Sequence, residues 1–213
     1  MDLWYNFYIL MEKIRIDLIK EEYKVIVLEL LAHLKAHSEE TFKHSFDVAE
    51  KAYALANALG VKGDDLSKLY IASLVHDIGK LYIDEKILHK QNATDAEREL
   101  IKKVHIEGTK QILDEYFEED IVSIAFNHHE RLDGSGYPDH FTARKLDILD
   151  RILQVADVTS ALLMSRSYKD AYAAEQVVSI LDNLVKSGEL DKKCVLEIEK
   201  LFLEPLKNQS QKI

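Results

Sequence analysis

KVIVLELLAHL (residues 24–34) and TFKHSFDVAEKAYALANAL (41–59) carry their apolar residues at helical spacing. In the first, apolar residues fill more than one face, which predicts a helix buried on most sides. In the second, Phe42, Phe46, Ala49, Tyr53 and Ala56 form one stripe, with Gly60 as its C-terminal cap. Working outward, the same period recurs. Asp64 and Asp65 open a helix running to His76. A Thr94/Glu97 capping box precedes helical sequence over 95–117, with Gly108 as a break. A short apolar helix covers 119–129, and helices near 147–165, 171–187 and 191–203 complete the chain, with Gly188 between the last two. Residues 130–146 form the one long stretch that reads as loop.

Composition agrees with an all-α chain. The 213 residues include 7 Gly and 2 Pro, where average usage would give about twice as many Gly and about five times as many Pro. Such scarcity argues against a turn-rich β fold and against a collagen-like or disordered chain. The breakers that exist are clustered, with Gly134, Gly136 and Pro138 inside five residues. Hydrophobic residues make up 47% and charged residues 31%, a soluble globular mix long enough to bury a substantial core.

The net charge is −10, which disfavours binding to DNA or RNA polymers. An anionic small substrate stays compatible if metal ions or a local basic pocket supply positive charge. Cys194 is the single cysteine, so no intrachain disulfide forms and a reducing compartment is expected; we read it as a core thiol. MDLWYNFYILMEKIR (1–15) lacks a basic leader and a small-residue cleavage site, and reads as a packing helix. No stretch approaches the ~18 uninterrupted apolar residues of a membrane span. A cytoplasmic protein without membrane association is the resulting expectation. Three segments follow: an N-terminal helical extension (1–35), a main domain (36–206) and a polar tail (207–213). Trp4, Tyr5, Phe7 and Tyr8 give the extension a surface suited either to the chain's own core or to a homodimer through the N-terminal helices.

The chemistry lies in the histidines. Five of nine, His44, His76, His105, His128 and His129, sit beside other ligand-type residues. Glu40 precedes His44 by one helical turn. His76 adjoins Asp77, with Lys80 one turn on, and His128 adjoins His129 at a helix end. Asp157 lies in the apolar run QVADV, where a buried carboxylate needs a metal or cation partner. Eight mixed N/O donors suit Fe, Mn, Ni, Co or Zn better than Mg or Ca, and exceed the needs of one ion. His33 and His37 continue the Glu40/His44 face but read as packing or surface residues, and a Glu130–Arg151 ion pair is the guess for what holds the loop.

His44, HDIGK (76–80), His105, HHERLDGSGYP (128–138) and Asp157 in VADV together resemble the HD-GYP subclass of HD-domain phosphohydrolases. The resemblance runs from about Glu40 to Lys169. It implies an all-α, HD-domain-like helical bundle with a central metal cluster, and hydrolysis of cyclic di-GMP to the linear dinucleotide or to GMP through a metal-bridging hydroxide. Two or three divalent transition-metal ions are implied, Fe or Mn ahead of Ni, Co or Zn. By matching position, Asp77 bridges the ions, His44, His76 and Asp157 surround one, and His105, His128 and His129 the second. Glu40 matches a residue that allows a third. Lys80 faces the scissile phosphate, and Tyr137 lies in the substrate pocket. Arg166 and Lys169 in SRSYKDA match a basic pair that contacts phosphate or guanine.

The sequence departs from the family's pattern around the pocket. Ser160 stands where a second aspartate is usual, and Ser165 and Ser167 replace the aspartate and proline before and within the RPYR-like segment. HKQNATDAERE (89–99) lacks the usual Pro and Gly, and His140-Phe141 replaces Gly-Leu. None of these removes a metal-ligand position. They leave open another cyclic dinucleotide such as cyclic GMP-AMP, or a non-catalytic nucleotide-binding module.

Overall fold

The computed structural model describes residues 14–88, 90, 92–165 and 171–210. Its helices are α1 (Lys24–His37), α2 (Glu39–Ala58), α3 (Gly63–Val75), the single turn α4 (Glu85–Leu88), α5 (Asp95–Leu113), α6 (Glu119–Phe126), α7 (Ile148–Leu163), α8 (Ala174–Lys186), α9 (Lys192–Ile198) and α10 (Glu204–Ser210). Short 3₁₀ turns cover Ile16–Leu18, Glu21–Tyr23, Ile78–Tyr82 and Asn127–His129, and a π-helical turn, Glu199–Leu203, joins α9 to α10. Among the described residues there is no strand, only the isolated bridge Asp133–Thr142. The all-α expectation is met.

Helix α3 is the centre of the bundle. Nine consecutive or near-consecutive residues from Leu66 to Val75 are buried, including Leu69, Tyr70, Ile71, Leu74 and Val75. A helix apolar on every side must be surrounded, and α1, α2, α6 and α7 pack around it. Its C-terminal end therefore places His76 and Asp77 inside the protein. The α1 residues Val27, Leu28, Leu30, Leu31 and Leu34 join the same core, as their broad apolar face predicts.

Local chemistry sets several helix starts. Ser38 caps α2 by accepting from Thr41 N–H at 3.2 Å, two residues before the expected start. Thr94 and Glu97 form the expected capping box of α5, and Asp147 and Asp150 form another at α7. Gly108 does not break α5. A Cβ there would lie 2.5 Å from the Tyr82 ring and 3.2 Å from Gly79 Cα, and one on Gly79 would lie 2.0 Å from His105 O. The two glycines let α5 and the 78–82 turn meet backbone to backbone, which is a packing role. Cys194 is fully buried, and burial first pushes its thiol up to about 12. Among the described residues no helix is long and apolar enough to cross a membrane. The N-terminal aromatics, His89, Arg166 and Lys169 lie outside the described residues.

Candidate metal centre

The donors arrive from five elements. His44 projects from the second turn of α2, and His76–Asp77 follow the end of α3. His105 comes from α5, drawn to Asp77 by the Gly79–Gly108 contact. Thr109 secures that contact: its hydroxyl accepts from Gly79 N–H at 3.0 Å and donates to His76 O at 3.1 Å. The apolar helix α6 ends in the 3₁₀ turn Asn127–His129, which turns both imidazoles inward. Asp157 lies on the buried face of α7.

These side chains converge. His105 Nε2 stands 2.9 Å from Asp77 Oδ1, and His44 Nε2 2.9 Å from Asp157 Oδ1. His76 Nε2 is 3.6 Å from Asp77 Oδ2 and 3.9 Å from Asp157 Oδ1. His129 Nδ1 lies 4.0 Å from Asp157 Oδ2. Two groups emerge, His44/His76/Asp77 and His105/His128/His129, each with its ligand atoms within 4.8 Å of one another. Glu40, half-buried in the first turn of α2, is not in either group.

The histidines are oriented from behind. His76 Nδ1 meets Ser73 O at 2.8 Å and His128 Nδ1 meets Ala125 O at 2.6 Å. Since a carbonyl only accepts, Nδ1 carries the proton and Nε2 presents a lone pair. His44 Nδ1 instead meets the Ser160 hydroxyl at 3.1 Å. The Nε2 atoms of His76 and His128 are buried with no hydrogen-bond partner. Buried lone pairs without donors carry a free-energy penalty, and a metal ion fits them. The donor set suits the implied transition-metal ions on this observation.

The electrostatics match. Burial alone would raise Asp77, yet Lys80, His76 and His105 together hold it well below the usual carboxylate range. Asp157 behaves likewise, with burial opposed by His44, His76 and His128. Burial, aided by neighbouring imidazoles, holds His128 and His129 well below the usual histidine range. Burial also lowers His105, against the pull of Asp77. Ionised carboxylates and neutral imidazoles are the states that ligate metal. Lys80 Nζ donates to Asp77 Oδ2 at 2.6 Å from the cluster's open side, 16% exposed.

The 130–146 loop brings Tyr137 to the cluster. Glu130, fully buried, accepts from Asp139 N–H at 2.6 Å and Phe141 N–H at 3.0 Å. The anticipated Glu130–Arg151 pair is absent: Arg151 binds Asp191, Ala143 O and Leu146 O instead. A carboxylate facing two orphaned amides has no need of a cation. A Cβ on Gly136 would lie 2.4 Å from Arg131 N, so only glycine lets the loop fold back on its own start. Tyr137 N–H then reaches His129 O at 3.2 Å, and its ring lies 4.7 Å from that of His129. Beyond Tyr137 opens a cavity of about 480 Å³, lined by Lys102, Ile106, Phe126 and Pro138 among others.

His33 is exposed, and His37 Nε2 bonds Ile83 O at 2.9 Å, so neither joins the centre. The loop-holding role of Glu130 and the cavity position of Lys102 have no local sequence signal, since their partners are set by the loop's path.

A profile of the HD domain family matches residues 26–194. A 3′3′-cGAMP-specific phosphodiesterase of Vibrio cholerae is 38% identical over 172 residues, 80% of this chain and 40% of that protein. A cyclic di-GMP phosphodiesterase of Thermotoga maritima is 32% identical over 174 residues, 80% of this chain and 47% of the relative. The chain thus spans less than half the length of these curated relatives. The HD domain of the phosphodiesterase PgpH from L. monocytogenes, solved with cyclic-di-AMP, superposes with a TM-score of 0.64 at 17% identity, over 85% of this chain and 96% of that one.

Proposed function

This chain belongs to the HD domain family, and from that premise we propose that it is a metal-dependent phosphodiesterase of the HD-GYP subclass, hydrolysing cyclic di-GMP to the linear dinucleotide or GMP. One observation carries the reading. The groups His44/His76/Asp77 and His105/His128/His129 meet where Asp77 Oδ1 lies 2.9 Å from His105 Nε2, with Lys80 bonded to Asp77 and Tyr137 packed beside His129.

His44, His76, Asp77 and Asp157 would hold one ion and His105, His128 and His129 a second, with Asp77 between the two groups. Such ions would supply water activation and stabilisation of charge developing on a phosphodiester. The protein's own groups do the rest. Asp77 is ionised and buried, so it supplies charge without exchanging its proton at neutral pH. His105, His128 and His129 are held toward the neutral form, and neutral ligands would leave bound ions more of their charge for an anion. Lys80 stands where it can neutralise a phosphate oxygen. Tyr137, half-buried against His129, closes one side of the substrate space. Arg166 and Lys169 lie outside the described residues and enter as phosphate or guanine contacts on the family resemblance alone.

A second reading, a cyclic GMP-AMP phosphodiesterase, is favoured by the 38% identity to the Vibrio cholerae relative named for that nucleotide. The test is a panel of cyclic di-GMP, 3′3′-cyclic GMP-AMP and cyclic di-AMP with Fe- or Mn-loaded protein. Fastest turnover of cyclic di-GMP supports the first reading and fastest turnover of cyclic GMP-AMP the second. Tight binding with every nucleotide intact would sink both and leave a binding module. Elemental analysis should give two ions per chain; three would bring in Glu40.

A further inference from the structure

We propose that Lys102 binds the second, non-scissile phosphate of the cyclic dinucleotide; this rests on the phosphodiesterase reading above and names how that site holds its substrate. Lys102 precedes His105 by three positions on α5, so both side chains leave one face of the helix a turn apart. Its ammonium lies 5.4 Å from the centre of the Tyr137 ring, and that ring lies 4.7 Å from His129. A cation is therefore held at the edge of the 480 Å³ cavity, with one aromatic ring between it and the imidazole donors.

Substrate chemistry calls for a cation there. A cyclic dinucleotide carries two phosphodiesters, each with one negative charge, on opposite sides of a single ring. With one at the donor cluster, the other is fixed a short span away. It enters a protein of net charge −10, past the rim carboxylates Glu99, Glu107 and Asp139. Lys80, bonded to Asp77, is already assigned to the scissile phosphate at the donor cluster. Lys103 also lines the cavity, 3.9 Å from Glu107, but it is Lys102 whose ammonium faces the Tyr137 ring. Lys102 pairs with Glu99 at 2.7 Å, but their side chains are 44% and 72% exposed. Exposed pairs of this kind contribute little and exchange readily for a better-placed anion. A substrate with one phosphodiester and no second phosphate has nothing to place against Lys102.

The experiment compares wild type, Lys102→Met, Lys102→Arg and Lys110→Met, all Mn-loaded, on two substrates. Cyclic di-GMP has two phosphodiesters, and bis(p-nitrophenyl) phosphate has one. Methionine keeps an unbranched apolar stem against Tyr137 and removes the charge. The expected result is a KM for cyclic di-GMP raised about tenfold in Lys102→Met, the loss of one charge-assisted contact. Its kcat should stay within about twofold, Lys102→Arg should restore KM, and bis(p-nitrophenyl) phosphate kinetics should not change. Lys110→Met, on the same helix but paired with Asp114, should match wild type. An unchanged KM in Lys102→Met overturns the inference and leaves the proposed activity standing. So does an equal loss on both substrates, which would mean that Lys102 acts through the ring or the donors. A wild type that hydrolyses neither substrate fails the activity reading, and the inference with it.

Discussion

The two halves of the donor cluster both use imidazole nitrogens but differ in the carboxylates beside them. Around His44 and His76 stand two carboxylates, Asp77 and Asp157, both held ionised despite burial. Around His128 and His129 the donors are imidazoles alone; Asp77 is reached through His105 at 2.9 Å, and Asp157 Oδ2 stands off at 4.0 Å from His129 Nδ1. The backing differs at one residue. His76 and His128, one in each half, are fixed by backbone carbonyls, whereas His44 rests on the Ser160 hydroxyl. The difference teaches how one site can both retain and use metal. A dication sits more tightly beside carboxylates, and one held by neutral ligands keeps more of its charge for an anionic substrate.

The largest effect should break the comparison altogether. Asp77→Ala removes the one group shared by both halves. Both ions should be lost and cyclic dinucleotide hydrolysis should fall by about a thousandfold or more. Full metal content in this variant, measured by elemental analysis, would remove Asp77 from the bridge. His44→Ala is the next strongest. It should empty the carboxylate half, leave about one ion per chain and destabilise the fold, because Asp157 loses the imidazole at 2.9 Å.

Glu130→Gln tests the wall beside the imidazole half. One of the two loop amides then faces an NH₂ donor instead of a carboxylate oxygen. A loss of about 1–3 kcal/mol in unfolding free energy is expected, with Tyr137 contacts weakened. An Arg151→Gln variant, which loses Asp191 and the carbonyls of Ala143 and Leu146 instead, should leave the Tyr137 contacts intact. Ser160→Ala should lower affinity at the carboxylate half about tenfold, the usual scale for a group that orients a ligating histidine. Equal weakening of both ions would contradict the asymmetry.

A pH-dependent effect lies behind the imidazole half. Asp150 accepts from Asn127 Nδ2 at 3.2 Å, next to His128. Burial first, then Asp147, raises its carboxyl to about 6. A carboxyl raised in the folded state contributes stability below its unfolded pKa, and that contribution is lost as pH rises through about 6. Wild-type stability should therefore decline between about pH 4 and 6 relative to Asp150→Asn, by up to about 3 kcal/mol. Parallel pH profiles for the two proteins would refute this.

Much of this was legible in the sequence. Apolar periodicity and caps placed the helices, because both signals are local: Thr94 and Glu97 sit three residues apart and bond as read. The donors were legible because HDIGK and HHERLDGSGYP are short strings around conspicuous residues. What escaped depends on approach between distant segments. Gly108 reads as a helix break, but its reason is a ring from Tyr82 and the backbone of Gly79. Glu130 invites an arginine partner, yet its partners are amides nine and eleven residues on, brought round by the fold-back at Gly136. Lys102 is one of many exposed lysines until the loop lays Tyr137 beneath it.

The central claim is that two unequal half-sites share Asp77. Its most direct test is calorimetric titration of metal-free wild type and His128→Ala with Mn²⁺. The account predicts two binding events of different affinity in wild type, and loss of the weaker one alone in the variant. A single wild-type event, or loss of the tighter event in His128→Ala, would contradict it.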